Sequence, residues 1–142
     1  KVIMITTVFR LSSTKFNVKK FLDYSRWKPI RYWLEGEEDR YRHEVNKSSG
    51  FNLDILGSRR YSKLEFQRHI DAIVLFIKEN EVFLKKLKRQ KTVEMSIDIG
   101  IIIEKELMIS TSFKGEILKL VNQYNIELVV SFYLGRSSAE RK

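Results

Sequence analysis

Five apolar side chains at every second position, Val93, Met95, Ile97, Ile99 and Ile101, constrain this chain more than any other feature it has. A period of two is the pitch of a β-strand, whose successive side chains leave on opposite faces. Residues 92–104 therefore read as a strand with one firmly buried face. Such a strand demands an apolar layer on one side and tolerates water on the other, as when helices pack on a single face of a sheet.

The segments on either side supply that layer. Residues 2–11 are β-branched and apolar at both parities, which predicts a central strand covered on both faces. Ser12-Ser13-Thr14 offers an N-cap to a short helix with Val18, Phe21 and Leu22 on one stripe and Lys19-Lys20 opposite. Lys28-Pro29 imposes an extended exit, because proline disfavours helix at the residue before it, and residues 30–34 read as a short strand. Glu35-Gly36-Glu37-Glu38-Asp39 reads as a solvated turn. Residues 40–46 alternate, with Tyr41, His43 and Val45 on one face. That predicts a strand buried on one side and makes His43 a partly buried core residue. Phe51, Leu53 and Ile55 predict a further short strand ending at the Gly57-Ser58 break.

Ser62-x-x-Glu65 is a capping box, and Leu64, Ile70, Ile73, Val74 and Ile77 follow at helical spacing. Asn80 is placed to cap a second helix through Val82, Phe83 and Leu87 after a kink or restart at residues 78–80. Ser110-Thr111-Ser112 are placed to cap a last helix over residues 113–124, with Asn125 at the left-handed position beyond it. Residues 126–134 close as an apolar strand. The order predicts an α+β fold: a mainly antiparallel sheet with helices packed on one face, a ferredoxin-like relative with two crossover units. A chain of 142 residues falls in the range of about 100–200 residues expected of one domain. We place the domain at residues 1–134 and expect residues 135–142 to be a frayed polar tail.

Composition narrows the chemistry. There is no cysteine, hence no disulfide framework, thiolate zinc site or cysteine nucleophile. His43 and His69 are the two histidines, too few for a three-histidine zinc centre and not spaced as His-Glu-x-x-His. The six glycines are scattered, so neither a P-loop nor a dinucleotide fingerprint is present. No Gly-x-Ser-x-Gly elbow occurs, and the acidic run at residues 35–39 lacks calcium-loop spacing. We therefore expect no metal, no cofactor and no catalytic residue. No run approaches the roughly 18–20 apolar residues that span a bilayer, so a soluble, cytoplasmic protein with no membrane partner is expected.

The net charge of +9 is uneven: residues 1–35 hold eight basic against two acidic residues, and residues 80–91 hold five against one. Two segments stand out. In Trp27-Lys28-Pro29-Ile30-Arg31-Tyr32-Trp33, aromatic rings alternate with cations, which suits a protein interface anchored by Trp and Arg, or base stacking with phosphate contact. Plain packing of two indoles under Lys and Arg stems is the competing structural use. The run Lys85, Lys86, Lys88, Arg89 and Lys91 is a candidate basic patch. Cations at the end of a helix also complement its dipole.

Pro29-x-x-x-Trp33-x-x-Gly36-Glu37, with Ser49-Gly50-Phe51, His69 ahead of an apolar run, Leu84-x-x-Leu87, Ile97-x-Ile99 and Ser112-Phe113, resembles a family of small bacterial proteins defined only as a domain of unknown function, DUF4279. The resemblance spans nearly the whole chain and implies a compact α+β fold without an assigned activity. By analogy with small bacterial domains that accompany toxin systems, it points to a non-enzymatic protein-binding domain of immunity or accessory type. Candidate partner-binding residues are Trp27, Lys28, Arg31 and Trp33. A nucleic-acid-binding module using the basic segments, or an enzyme of unrecognised type, stand beside that reading.

Overall fold

The computed structural model describes residues 4–103 and 110–135. Five strands and four helices follow in the order β1 (Met4–Ser13), α1 (Val18–Ser25), β2 (Arg31–Trp33), β3 (Ser49–Arg60), α2 (Lys63–Glu79), α3 (Glu81–Lys88), β4 (Val93–Ile103), α4 (Gly115–Gln123) and β5 (Ile126–Leu134). They form one mixed sheet in the order β2-β3-β1-β4-β5. Its pairs are antiparallel except β4 with β5, which run parallel across the α4 crossover. The α+β class and the mainly antiparallel sheet are as the sequence predicts. A split crossover does occur: β3 and β4 flank β1, linked through α2 and α3. The second crossover joins neighbouring strands, so the interleaving of a ferredoxin-like sheet is present once.

The alternation in β4 works as its spacing demands. Met95, Ile97, Ile99 and Ile101 are buried toward the helices, where they meet Ile5, Phe9 and Leu11 of β1 and Ile70, Ile73 and Ile77 of α2. Each such side chain removed from water contributes about 1.5–3 kcal/mol. The exposed Lys78–Glu116 pair between α2 and α4 contributes at most about 1 kcal/mol. Apolar burial therefore seats the helices. The opposite face of β1 holds Met4, Thr6 and Val8, half-buried, and the exposed Arg10. β1 is thus central, but only one of its faces is fully covered.

Residues 40–46 are not a strand. Asp39 accepts hydrogen bonds from the backbone N–H of Tyr41 and Arg42, and the N–H of His43 donates to the Asp39 carbonyl. His43 takes a left-handed φ of 54°. The carboxylate curls the chain into a turn, so Tyr41, His43 and Val45 are all exposed and His43 is no core residue. Nor does β3 stop at Gly57-Ser58. It runs to Arg60, with an irregularity between Val8 and Ile5 of β1 that absorbs the extra residues.

Two helix starts also shift, and a third keeps its place but loses its side-chain cap. Ser12 and Ser13 extend β1, and Asn17 caps α1 by accepting from the Lys20 N–H at 3.0 Å. Ser110–Ser112 lie ahead of α4, which begins at Gly115 after Lys114. Asn80 stands at the head of α3 without a side-chain cap. Instead its Nδ2 donates to the Phe76 carbonyl and its Oδ1 accepts from Trp27 Nε1. The Ser62 cap on α2 and the left-handed Asn125, φ 55°, are as predicted. Val2, Ile3, Glu104 and the tail beyond Gly135 lie outside the described residues. Among the described residues no helix is long and apolar enough to cross a membrane.

Candidate functional site

One cross-strand row organises the helix-free face. Arg31 of β2 lies opposite Asn52 of β3, which lies opposite Arg10 of β1, and the row continues to Ser96 and Glu127. Strands sit about 4.8 Å apart, so the two arginines rise from the same face about 10 Å from each other. Arg10 Nε donates to Asn52 Oδ1 at 3.1 Å. That contact uses the side edge of the guanidinium and leaves its terminal Nη1/Nη2 edge for an acceptor.

Next in register, Trp33 lies opposite Gly50. A Cβ at Gly50 would collide with the Trp33 ring on one side and the Leu11 carbonyl on the other. Glycine is required there so that the indole can lie flat on the backbone. The Arg31 guanidinium is 5.7 Å from the Trp33 ring centroid and 5.0 Å from that of Tyr41, and it is bonded to Asp39 Oδ2 at 2.9 Å. It is a fixed wall held by two rings and a carboxylate.

Residues 34–48 fold over this floor. Gly36, at φ 84°, allows the reversal. The Gly36 N–H then donates to the Asn46 carbonyl and the Asp39 N–H to the Glu44 carbonyl, while Glu38 bridges to Val45. The Asn46 Nδ2 ties the lobe to the Leu34 carbonyl. Hydrogen bonds from the Tyr41 and Arg42 amides, with the charges of Arg31 and Arg42 beside them, hold the Asp39 carboxyl below the usual carboxylate range. Between lobe and sheet lies a cleft of ≈ 520 Å³, open to solvent along one side, whose charged lining is Arg10, Arg31, Arg42 and Lys47 against Asp39 and Glu44.

The residues singled out from sequence divide. Arg31 and Trp33 line this cleft, whereas Lys28 is exposed outside it. Trp27 belongs to the core: its indole meets Phe9, Phe21, Phe51, Phe76 and Phe83 at centroid distances of 5.4–6.1 Å. The Lys85, Lys86, Lys88, Arg89 and Lys91 run is exposed on and just beyond α3, on the sheet's helical face. Two of its members have local partners. Lys86 Nζ stands 4.2 Å from the Tyr24 ring, and Lys88 Nζ donates to the Gln123 carbonyl at 2.6 Å, at the end of α4.

Arg10, Arg42 and Asn52 were missed as site residues. The signal for Arg10 was there: one charge inside an otherwise apolar strand must point to the wet face. Arg42 was hidden by the mistaken strand at residues 40–46. His69 is fully buried on α2, its Nδ1 sharing a 2.7 Å hydrogen bond with the Thr7 hydroxyl and its Nε2 unpartnered among the described residues. Burial lowers its affinity for a proton. It lies between α2 and β1, on the helix-covered side of the sheet and not in the cleft.

No curated protein and no solved structure matches the chain. The family model described as "Domain of unknown function (DUF4279)" matches residues 4–135, a span that takes in every strand and helix above and the whole lining of the cleft. The chain belongs to the DUF4279 family.

Proposed function

We propose that this is a non-enzymatic, cytoplasmic bacterial binding domain that holds another protein, as an immunity-type or accessory factor, through the helix-free face at its β2–β3 end. The observation that carries the reading is the convergence of Arg10, Arg31, Arg42 and Trp33 on one solvent-open cleft. Arginine and tryptophan are the side chains that most often anchor protein interfaces, because each combines large contact area with directional bonding. The groups gathered here bind rather than transfer protons. The buried His69 lies on the other side of the sheet, and the exposed His43, among the described residues, pairs with Glu38 at 3.5 Å.

The test is capture from native lysate by the tagged protein, in nuclease-treated and untreated halves, beside an Arg31→Ala/Trp33→Ala variant that keeps its circular dichroism spectrum. A discrete protein retained in both halves and lost with the variant supports the reading. Retention by the variant overturns the placement of the surface.

A second reading, nucleic-acid binding, draws on the opposite face. There α1 and α3 meet through Phe21, Tyr24 and Phe83 and Lys86 lies over the Tyr24 ring, with Lys19 and Lys20 exposed on α1 and Lys85 and Lys86 exposed on α3. Nucleic acid lost from the untreated half as salt rises steeply would favour it.

A further inference from the structure

We infer that the cleft recognises an acidic, extended protein segment, with its carboxylates held by Arg10 and Arg42 and its backbone lying over Trp33. This rests on the protein-binding reading above and names the chemistry of the partner.

The charge in the cleft is not evenly available. Arg31 is committed to Asp39 and to the Trp33 and Tyr41 rings. Asp39 in turn accepts from two backbone amides and from Arg31. Those two charges cancel and make a rigid wall. Among the described residues no carboxylate pairs with Arg10 or Arg42. Among the described residues, Arg10, Arg42 and Lys47 therefore leave the cleft positive against Glu44 and the part of the Asp39 charge that Arg42 also faces. Arginine presents a fork that matches a carboxylate with two parallel bonds, and the Nε contact to Asn52 leaves the Nη1/Nη2 fork of Arg10 for such a partner.

Shape and surroundings select the ligand. The lining is charged and amide-rich and open along one side, unlike the enclosed, mostly apolar pockets that bury small molecules. An extended peptide puts alternate side chains about 6.5 Å apart on one face, so two carboxylates on that face can reach separate guanidinium groups, Arg10 on the sheet and Arg42 on the lobe, which line the same cleft. A nucleic-acid strand needs a continuous basic track for its regularly spaced phosphates. Here the positive zone is short. The Arg31–Asn52–Arg10 row ends in Glu127, Glu94 lies opposite Ser12 beside it, and the lobe carries exposed Glu37 and Glu38. A local cation cluster rimmed by acids accepts a few carboxylates and repels a long polyanion.

Fluorescein-labelled octaglutamate is the probe, followed by anisotropy against the full chain, with octaglutamine, a twelve-residue oligothymidylate and inorganic phosphate as comparators. Expected are binding of octaglutamate over octaglutamine and at least a tenfold loss in Arg10→Gln/Arg42→Gln. Little change is expected in Lys85→Gln/Lys86→Gln. An Arg10→Lys/Arg42→Lys variant, which keeps charge but loses the fork, should fall between wild type and the glutamine variant and guards against misfolding of the latter. Equal binding of octaglutamine, tighter binding of oligothymidylate, full displacement by millimolar phosphate, or unchanged affinity in the glutamine variant each overturns the inference. If octaglutamate fails while a lysate protein is still captured through the cleft, the acidic identity falls alone. If both fail, the protein-binding reading falls with it.

Discussion

His69 and Thr7 show at the scale of single residues what the core demands of a polar group. The imidazole is fully buried between α2 and β1; among the described residues Thr7 is its one hydrogen-bond partner and Nε2 is unpartnered. Protonation would place a cation in that layer. Burial opposes it first, Arg59 adds to the opposition, and Glu65 and Asp54 offset only part. The native imidazole thus protonates at lower pH than the unfolded one. As pH falls below about 6.5, the unfolded chain takes up a proton that the native chain refuses, and stability falls by about 1.4 kcal/mol per pH unit until the native imidazole protonates. Above that range the neutral ring costs nothing further. Urea unfolding between pH 7 and pH 5 should show this loss, and Thr7→Val/His69→Leu, which removes both polar partners together, should flatten it. An equally steep acid limb in the double variant would assign the loss to carboxylates elsewhere.

At the scale of elements, the lobe at residues 34–48 separates what sequence shows from what it hides. Alternation read correctly in β4 because a sheet and a helix layer were there to be satisfied. The same alternation at residues 40–46 misled, because Asp39 offers the backbone a nearer partner than any strand. Hydrophobic pattern records which face is buried. It does not record a carboxylate that captures two amides, so the roof of the cleft and Arg42 were invisible while Arg31 and Trp33 on its floor were legible. The same blindness moved the caps: Asn17, three residues past the Ser-Ser-Thr run, holds α1 because β1 needs Ser12 and Ser13 for pairing with β3 and β4. Asp39→Ala should release the lobe without unfolding the sheet. Hydrogen exchange at residues 40–46 should speed up by at least about tenfold while protection in β1 and β4 holds. Protection unchanged at residues 40–46 would mean that the Asn46 and Gly36 bonds suffice to hold the lobe.

At the scale of the whole molecule, the sheet divides the basic charge that the sequence presents as one total. Arg10, Arg31 and Arg42 gather on the helix-free face; the α3 run lies across the core, beyond Phe9, Ile73 and Leu84. The two regions cannot form one patch, because a sheet faces its side chains in opposite directions and a packed layer lies between them. They also do different work. Lys86 covers the Tyr24 ring and Lys88 closes the carbonyl end of α4 at Gln123, so part of the α3 charge has a structural use. Lys88→Ala should lower unfolding stability by about 0.5–1 kcal/mol through the lost bond to Gln123 and leave capture through the cleft unchanged. Arg10→Gln/Arg42→Gln should do the reverse, weakening capture with little effect on stability, since both side chains stand in water. Equilibrium denaturation and binding measured on the same preparations separate the two faces. Coupled losses in both variants would show that binding runs through the fold as a whole, and the division of labour across the sheet would fall.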